Sequence, residues 1–120
     1  MEGIMNVSWN KCEGGAWCSL NKVDLPHVHF NGMEGVYVIW HGGPTPKVVR
    51  VGQGVIRDRL NAHRQDKEIQ AYAGLNLYVT WARMDAQNRD GVEAFLATTL
   101  KPLIGDRFPD VVPISVNLPW

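Results

Sequence analysis

The run Gly35-Val36-Tyr37-Val38-Ile39-Trp40 constrains this chain more than any other stretch. After its glycine every residue is β-branched or aromatic, a composition that favours extended backbone in a buried position. His41 to Pro46 follows with two glycines and two prolines, which break regular structure. Lys47-Val48-Val49-Arg50-Val51-Gly52 then resumes the extended pattern. Two such runs joined by a short breaker loop pair antiparallel. An isolated hairpin is marginal in water, so the remaining residues must cover it.

After Gly52 the period changes. Ile56 and Leu60 lie four apart, as do Arg59 and His63. This predicts a helix opening near Gly54 with Arg59 and His63 on one face. Asp66 to Ala73 fits a second, short helix, with Asp66 as N-cap and Gly74 just past its end. Leu75 to Met84 alternates and predicts a third strand, and the polar stretch Asp85 to Gly91 reads as a turn. From Val92, apolar residues recur at 92, 95, 96, 99 and 100, the stripe of a core-facing helix that Pro102 and Gly105 end. The tail from Phe108 carries three prolines, with room for one edge strand at Val112–Val116. Residues 1–33 show no sustained period and read as an irregular N-terminal extension whose Trp9, Trp17 and Phe30 dock on the core. The expected class is α+β: a small three-stranded, mainly antiparallel sheet with flanking helices, in the order β-β-α-α-β-α. Residues 34–120 form the domain proper, one compact unit with its extension.

Composition narrows the function classes. A chain of 120 residues with 45% hydrophobic and 20% charged side chains builds one core and is not disordered. Its apolar runs fall short of the ~20 residues of a membrane span, so no membrane partner is expected. The start, with an acid at position 2 and no long apolar stretch, does not read as a targeting leader; a cytoplasmic location is expected. Basic and acidic residues balance at 12 each, but Lys47, Arg50, Arg57, Arg59, Arg64 and Lys67 face only Asp58 and Asp66 within one stretch. That is a local anion-attracting patch on a neutral chain. Cys12 and Cys18 read as free thiols in a reducing compartment. A zinc clip with His27 and His29 is the alternative, at a spacing that matches no usual zinc pattern.

In order and in residues, the chain resembles the GIY-YIG nuclease family. Gly35-Val36-Tyr37 matches the first strand motif, and Arg50-Val51-Gly52 stands where the second belongs, with Arg50 in place of the family tyrosine. Arg59 and His63 match the helix pair, Glu93 the later acid, and Leu100-Lys101-Pro102 the stretch after it. The similarity runs from Gly35 to about Pro102. The helix arginine sits one residue closer to the second glycine than the family pattern, which predicts a tight turn at Gln53-Gly54. The family's late Asn is absent from its usual place, and Asn117 is the one late asparagine.

The resemblance implies a metal-dependent endonuclease that hydrolyses phosphodiester bonds, with DNA the expected substrate. The alternative is a catalytically inactive module of the same fold that binds nucleic acid or a protein. Glu93 would hold Mg²⁺ or Mn²⁺, since magnesium takes one or two carboxylates and keeps most of its waters. Asp90-Gly91-Val92-Glu93 also has the spacing of a helix capping box, which would give Glu93 a structural role instead. Tyr37 would be the base, its proton loosened by Arg50 on the paired strand. Arg59 would grip a phosphate through its planar fork, and His63 would orient or protonate the leaving oxygen. As nucleic-acid contacts, Lys47, Arg57, Arg64, Lys67 and Asn117 are candidates. Gly52-Gln53-Gly54 is too short for a dinucleotide fingerprint. Trp120 could stack on a base or cap the core.

Overall fold

The structure, a computed structural model, describes residues 3–105 and 108–120, so Met1 and Glu2 of the extension lie outside it. The fold is α+β. Strands β1 (Cys18–Ser19), β2 (Glu34–His41), β3 (Lys47–Val55) and β4 (Leu77–Arg83) form an antiparallel sheet in the order β1-β4-β2-β3. Helices α1 (Ile56–Arg64), α2 (Lys67–Gln70) and α3 (Ala86–Leu100) complete it.

The alternation of β2 divides the core. Tyr37 and Ile39 point to one side, where Val49, Ile56, Leu60, Ile69 and Trp81 meet Leu20, Leu25 and Phe30 from the extension. Val36, Val38 and Trp40 point to the other and pack on Val92 and Leu96 of α3. Both faces of β2 are therefore covered, which is why its sequence is β-branched or aromatic from Val36 to Trp40. Fully burying each such side chain contributes about 1.5–3 kcal/mol. Trp9 and Trp17 also pack against the α3 side as partly buried residues.

Four expectations are corrected. The sheet has four strands among the described residues, because the extension supplies β1, whose Cys18 pairs with Val79. Two residues leave no period to read. Helix α3 starts at Ala86 after the N-cap Asp85, so the stretch expected as a turn, Asp85 to Gly91, opens the helix instead. Glycine suits the helix at Gly91 because the tail crosses there: a Cβ would lie 2.6 Å from the Ile114 side chain. The edge strand expected at Val112–Val116 reduces to a single parallel bridge between Met5 and Val116. No turn separates β3 from α1; the strand runs to Val55 and the helix begins at Ile56, with Gly54 at φ 128°. The cysteines are also corrected: Cys12 and Cys18 are joined in a disulfide, not free. The zinc clip is excluded with them, since His27 Nδ1 accepts from the His29 backbone and His29 Nε2 from the Trp81 indole. Cytosolic thiols reduce such a bond, so a cytoplasmic location carries with it an open pair.

Gly35 lies between β3 and β4, paired with Gly54 and Arg83. A Cβ there would overlap the Ala82 carbonyl, which is backbone and cannot turn aside. Gly35→Ala is expected to cost at least ~2 kcal/mol through overpacking. Urea denaturation followed by far-UV circular dichroism measures it; an unchanged midpoint and slope would show that the strands separate at no cost.

Candidate active site

On α1, Ile56, Leu60 and His63 recur at i, i+4 and i+7 and are all buried. The polar member needs a partner in the core, and β2 supplies one. The Tyr37 hydroxyl lies 2.5 Å from His63 Nε2, with Tyr37 fully buried and His63 4% exposed. Gly52 stands opposite Tyr37 in the sheet, and a Cβ at that position would collide with the phenol oxygen. The glycine of the second motif thus exists here to admit the tyrosine of the first.

Around this pair lie three charged groups. Arg50, opposite Ile39, is half-buried, and the register slips beside it, a bulge at Val49. Among the described residues its buried Nε has no hydrogen-bond partner. Arg59 is exposed and close enough to Tyr37 to favour the phenolate by hydrogen bonding and by charge. Glu93, half-buried on α3, accepts from Gln53 Nε2 at 3.1 Å, and the same amide donates to Asp90. With α3 beginning at Ala86, Glu93 sits two turns inside the helix, and the capping-box alternative is excluded. Asp90 and Glu93 are instead i, i+3 neighbours on one face.

The electrostatics link all five expected residues. Burial lowers the His63 pKa to about 4, helped by the Arg50 and Arg59 charges. The imidazole is therefore neutral at pH 7, and one hydrogen is shared between its Nε2 and the phenol oxygen, the donor being set by the tautomer. Burial raises the Tyr37 pKa, and the opposing pull of Arg59 and Arg50 does not cancel it. The phenol is therefore a neutral group beneath the surface, not a solvent-facing base. Burial also raises the Glu93 pKa, with Asp90 adding to it and Gln53, Arg50 and Arg59 opposing.

The other expected residues are elsewhere. Arg57 donates to the Leu25 and His27 carbonyls and to Asn31, at 2.7, 3.0 and 2.7 Å. Arg64 donates to the Leu20 and Val23 carbonyls. Both guanidiniums fasten the extension to α1, so two of the six basic residues of the patch are structural. Asn117 clips the termini, accepting from Val7 N at 2.7 Å and donating to Val7 O at 3.0 Å. Lys47 and Lys67 are exposed on separate elements. Sequence reasoning passed over Gln53 and Asp90, which become visible only once Asp90 and Glu93 share a helix. Among the described residues no three His, Cys, Asp or Glu side chains cluster as a metal site.

The depressed His63 pKa has a stability consequence. Its folded value lies below the unfolded value of about 6.5, so its contribution is complete above that pH and is lost as pH falls toward 4. His63→Gln is expected to be less stable at pH 7 but to lose less between pH 6.5 and 4. Thermal midpoints of both proteins across that window test it; parallel curves would mean His63 titrates normally.

The comparisons with known proteins add no identity: no family model, no curated protein and no solved structure matches this chain.

Proposed function

We propose that this chain is a metal-dependent endonuclease of GIY-YIG-like architecture, cytoplasmic, acting on DNA. The observation that supports it most is electrostatic. Tyr37, Arg50, Arg59, His63 and Glu93 come from four elements, and the charges among them act on the same ionisable groups. Arg50 adds a buried Nε with no hydrogen-bond partner among the described residues. A phosphodiester supplies the anionic oxygens such a site lacks.

In this reading Arg59, the exposed member, meets the scissile phosphate first, and its planar fork takes two oxygens. Arg50 completes the cradle from β3. Leaving Tyr37 for the phosphate, Arg59 uncovers the phenol oxygen; catalytic contacts commonly form only with substrate bound. Tyr37 then acts as the base in its phenolate form, which Arg50 favours, and takes a proton from the attacking water, while neutral His63 holds the phenol oxygen through Nε2. Asp90 and Glu93 offer the hard oxygen donors that suit Mg²⁺ or Mn²⁺. A divalent ion there would neutralise charge on the phosphate and acidify a water. Gln53 holds both carboxylates in place.

Full burial of Tyr37 favours the second reading, an inactive module of the same fold. A plasmid assay separates the two. The protein is expected to nick supercoiled DNA with Mg²⁺ or Mn²⁺ and not with EDTA, and Glu93→Gln is expected to lose at least ~100-fold. Because burial raises the Glu93 pKa, activity should fall on acidification at a pH above the ordinary carboxylate range. Undiminished cleavage by Glu93→Gln would remove the metal assignment, and no cleavage by the wild type would leave the binding module.

Arg50 opposes the burial of Tyr37 by favouring its phenolate. Arg50→Ala is therefore expected to lower the rate at neutral pH and recover in part at alkaline pH, while Arg50→Lys keeps much of the rate. One pKa unit corresponds to about tenfold in the phenolate fraction. Parallel pH–rate profiles for wild type and Arg50→Ala would show that Arg50 only holds phosphate.

A further inference from the structure

At the far end of the β3–α3 layer, a groove of about 540 Å³ opens between Trp17, Trp40 and Trp120, a size ordinary for ligand sites. Trp120 meets Trp40 at 4.9 Å and Trp17 at 6.4 Å between ring centroids, both in edge-type geometry. Neither ring lies parallel on it, and Trp120 remains 57% exposed. A large, rigid aromatic face is thus presented to solvent at the mouth of an apolar groove. The charged side chains that line it have one sign among the described residues. Lys47 and Lys101 line it, no Asp or Glu does among the described residues, and Lys11 Nζ lies 4.4 Å from the Trp17 ring centre. Leu100 in its wall is two turns of α3 beyond Glu93, roughly 10 Å along the axis.

We propose that this groove is a stacking subsite for an unpaired nucleotide, with a base on Trp120 and the flanking phosphates on Lys47 and Lys101. The proposal deepens the nuclease reading and rests on it for the nature of the substrate. Aromatic stacking accepts any base, because every base has a π-face, and lysines on the rim match the backbone of the strand. A proline-rich peptide would also fit tryptophans, but it would leave the lysines without counter-charge. With a strand held here and a phosphate at Arg50 and Arg59, the substrate class becomes nucleic acid carrying an unpaired segment beside the cut.

The test is fluorescence anisotropy in EDTA, with labelled oligo(dT) and an abasic strand of the same length. The wild type is expected to bind oligo(dT) about tenfold more tightly than the abasic strand, the size of one stacked base. Trp120→Ala should abolish that preference and leave abasic binding unchanged, while Trp120→Phe retains part of it. Lys47→Ala with Lys101→Ala should weaken both strands and lower the salt slope by about 1.4. Equal binding of the two strands by the wild type, an undiminished preference in Trp120→Ala, or tighter binding of an uncharged proline-rich peptide would overturn the proposal. The plasmid assay keeps the two readings apart. An uncut plasmid with a Trp120-dependent preference removes the nuclease and keeps the groove; a cut plasmid without that preference does the reverse.

Discussion

Tyr37 and His63 are both dehydrated in the core, and each is tolerable there because the other satisfies it. A buried polar group left alone costs about 1–3 kcal/mol. The pairing therefore acts as a positional lock: it sets α1 against β2, and everything else on that helix follows. Nine residues make a marginal helix in isolation. Its place depends on this bond, on the apolar contacts of Ile56 and Leu60, and on the carbonyls gripped by Arg57 and Arg64. Arg59, one turn before His63, is exposed.

The charges around that lock are unbalanced. Two guanidiniums act on an imidazole kept neutral, a phenol kept protonated and a carboxyl pushed toward its neutral form. The neutral imidazole and phenol avoid a desolvation penalty, and among the described residues the two guanidiniums are answered only by the carboxyls of Glu93 and Asp90. An incoming anion would answer the guanidinium charge; it would favour the charged imidazole and disfavour the phenolate and the carboxylate. Binding and proton transfer are then coupled through one field, which ties the proposed chemistry to the packing.

Much of this was legible in the sequence, and the exceptions have physical causes. The hairpin, the third long strand and α1 declared themselves because apolar periodicity carried them. Motif order put Tyr37 and His63 in one candidate site but said nothing of their contact or its depth: a spacing of four says which residues share a face, not which of them lies below the surface. The opening of α3 was hidden because Asp85 to Asp90 is polar and faces water, leaving no stripe to read. Asp90 was lost with it. Strand β1 was too short to show alternation, and the guanidiniums of Arg57 and Arg64 looked like a ligand surface because carbonyl acceptors leave no trace in composition. Nucleic-acid hydrolysis itself remains a proposal resting on the site and on a resemblance.

The terminal clip has a mechanical side. Asn117 and Val7 are held by two amide hydrogen bonds, and the Trp9 indole donates to the Asn117 carbonyl, across more than 100 residues of chain. Closing so long a loop carries an entropic cost that these few bonds and the apolar packing beside them must offset. Once formed it lies in series with any load applied through the two end segments. Tension would reach those few bonds before it reached β2 or β3. The junction is thus a fuse: it can open while the sheet, the Tyr37–His63 lock and the charged groups around them stay in place.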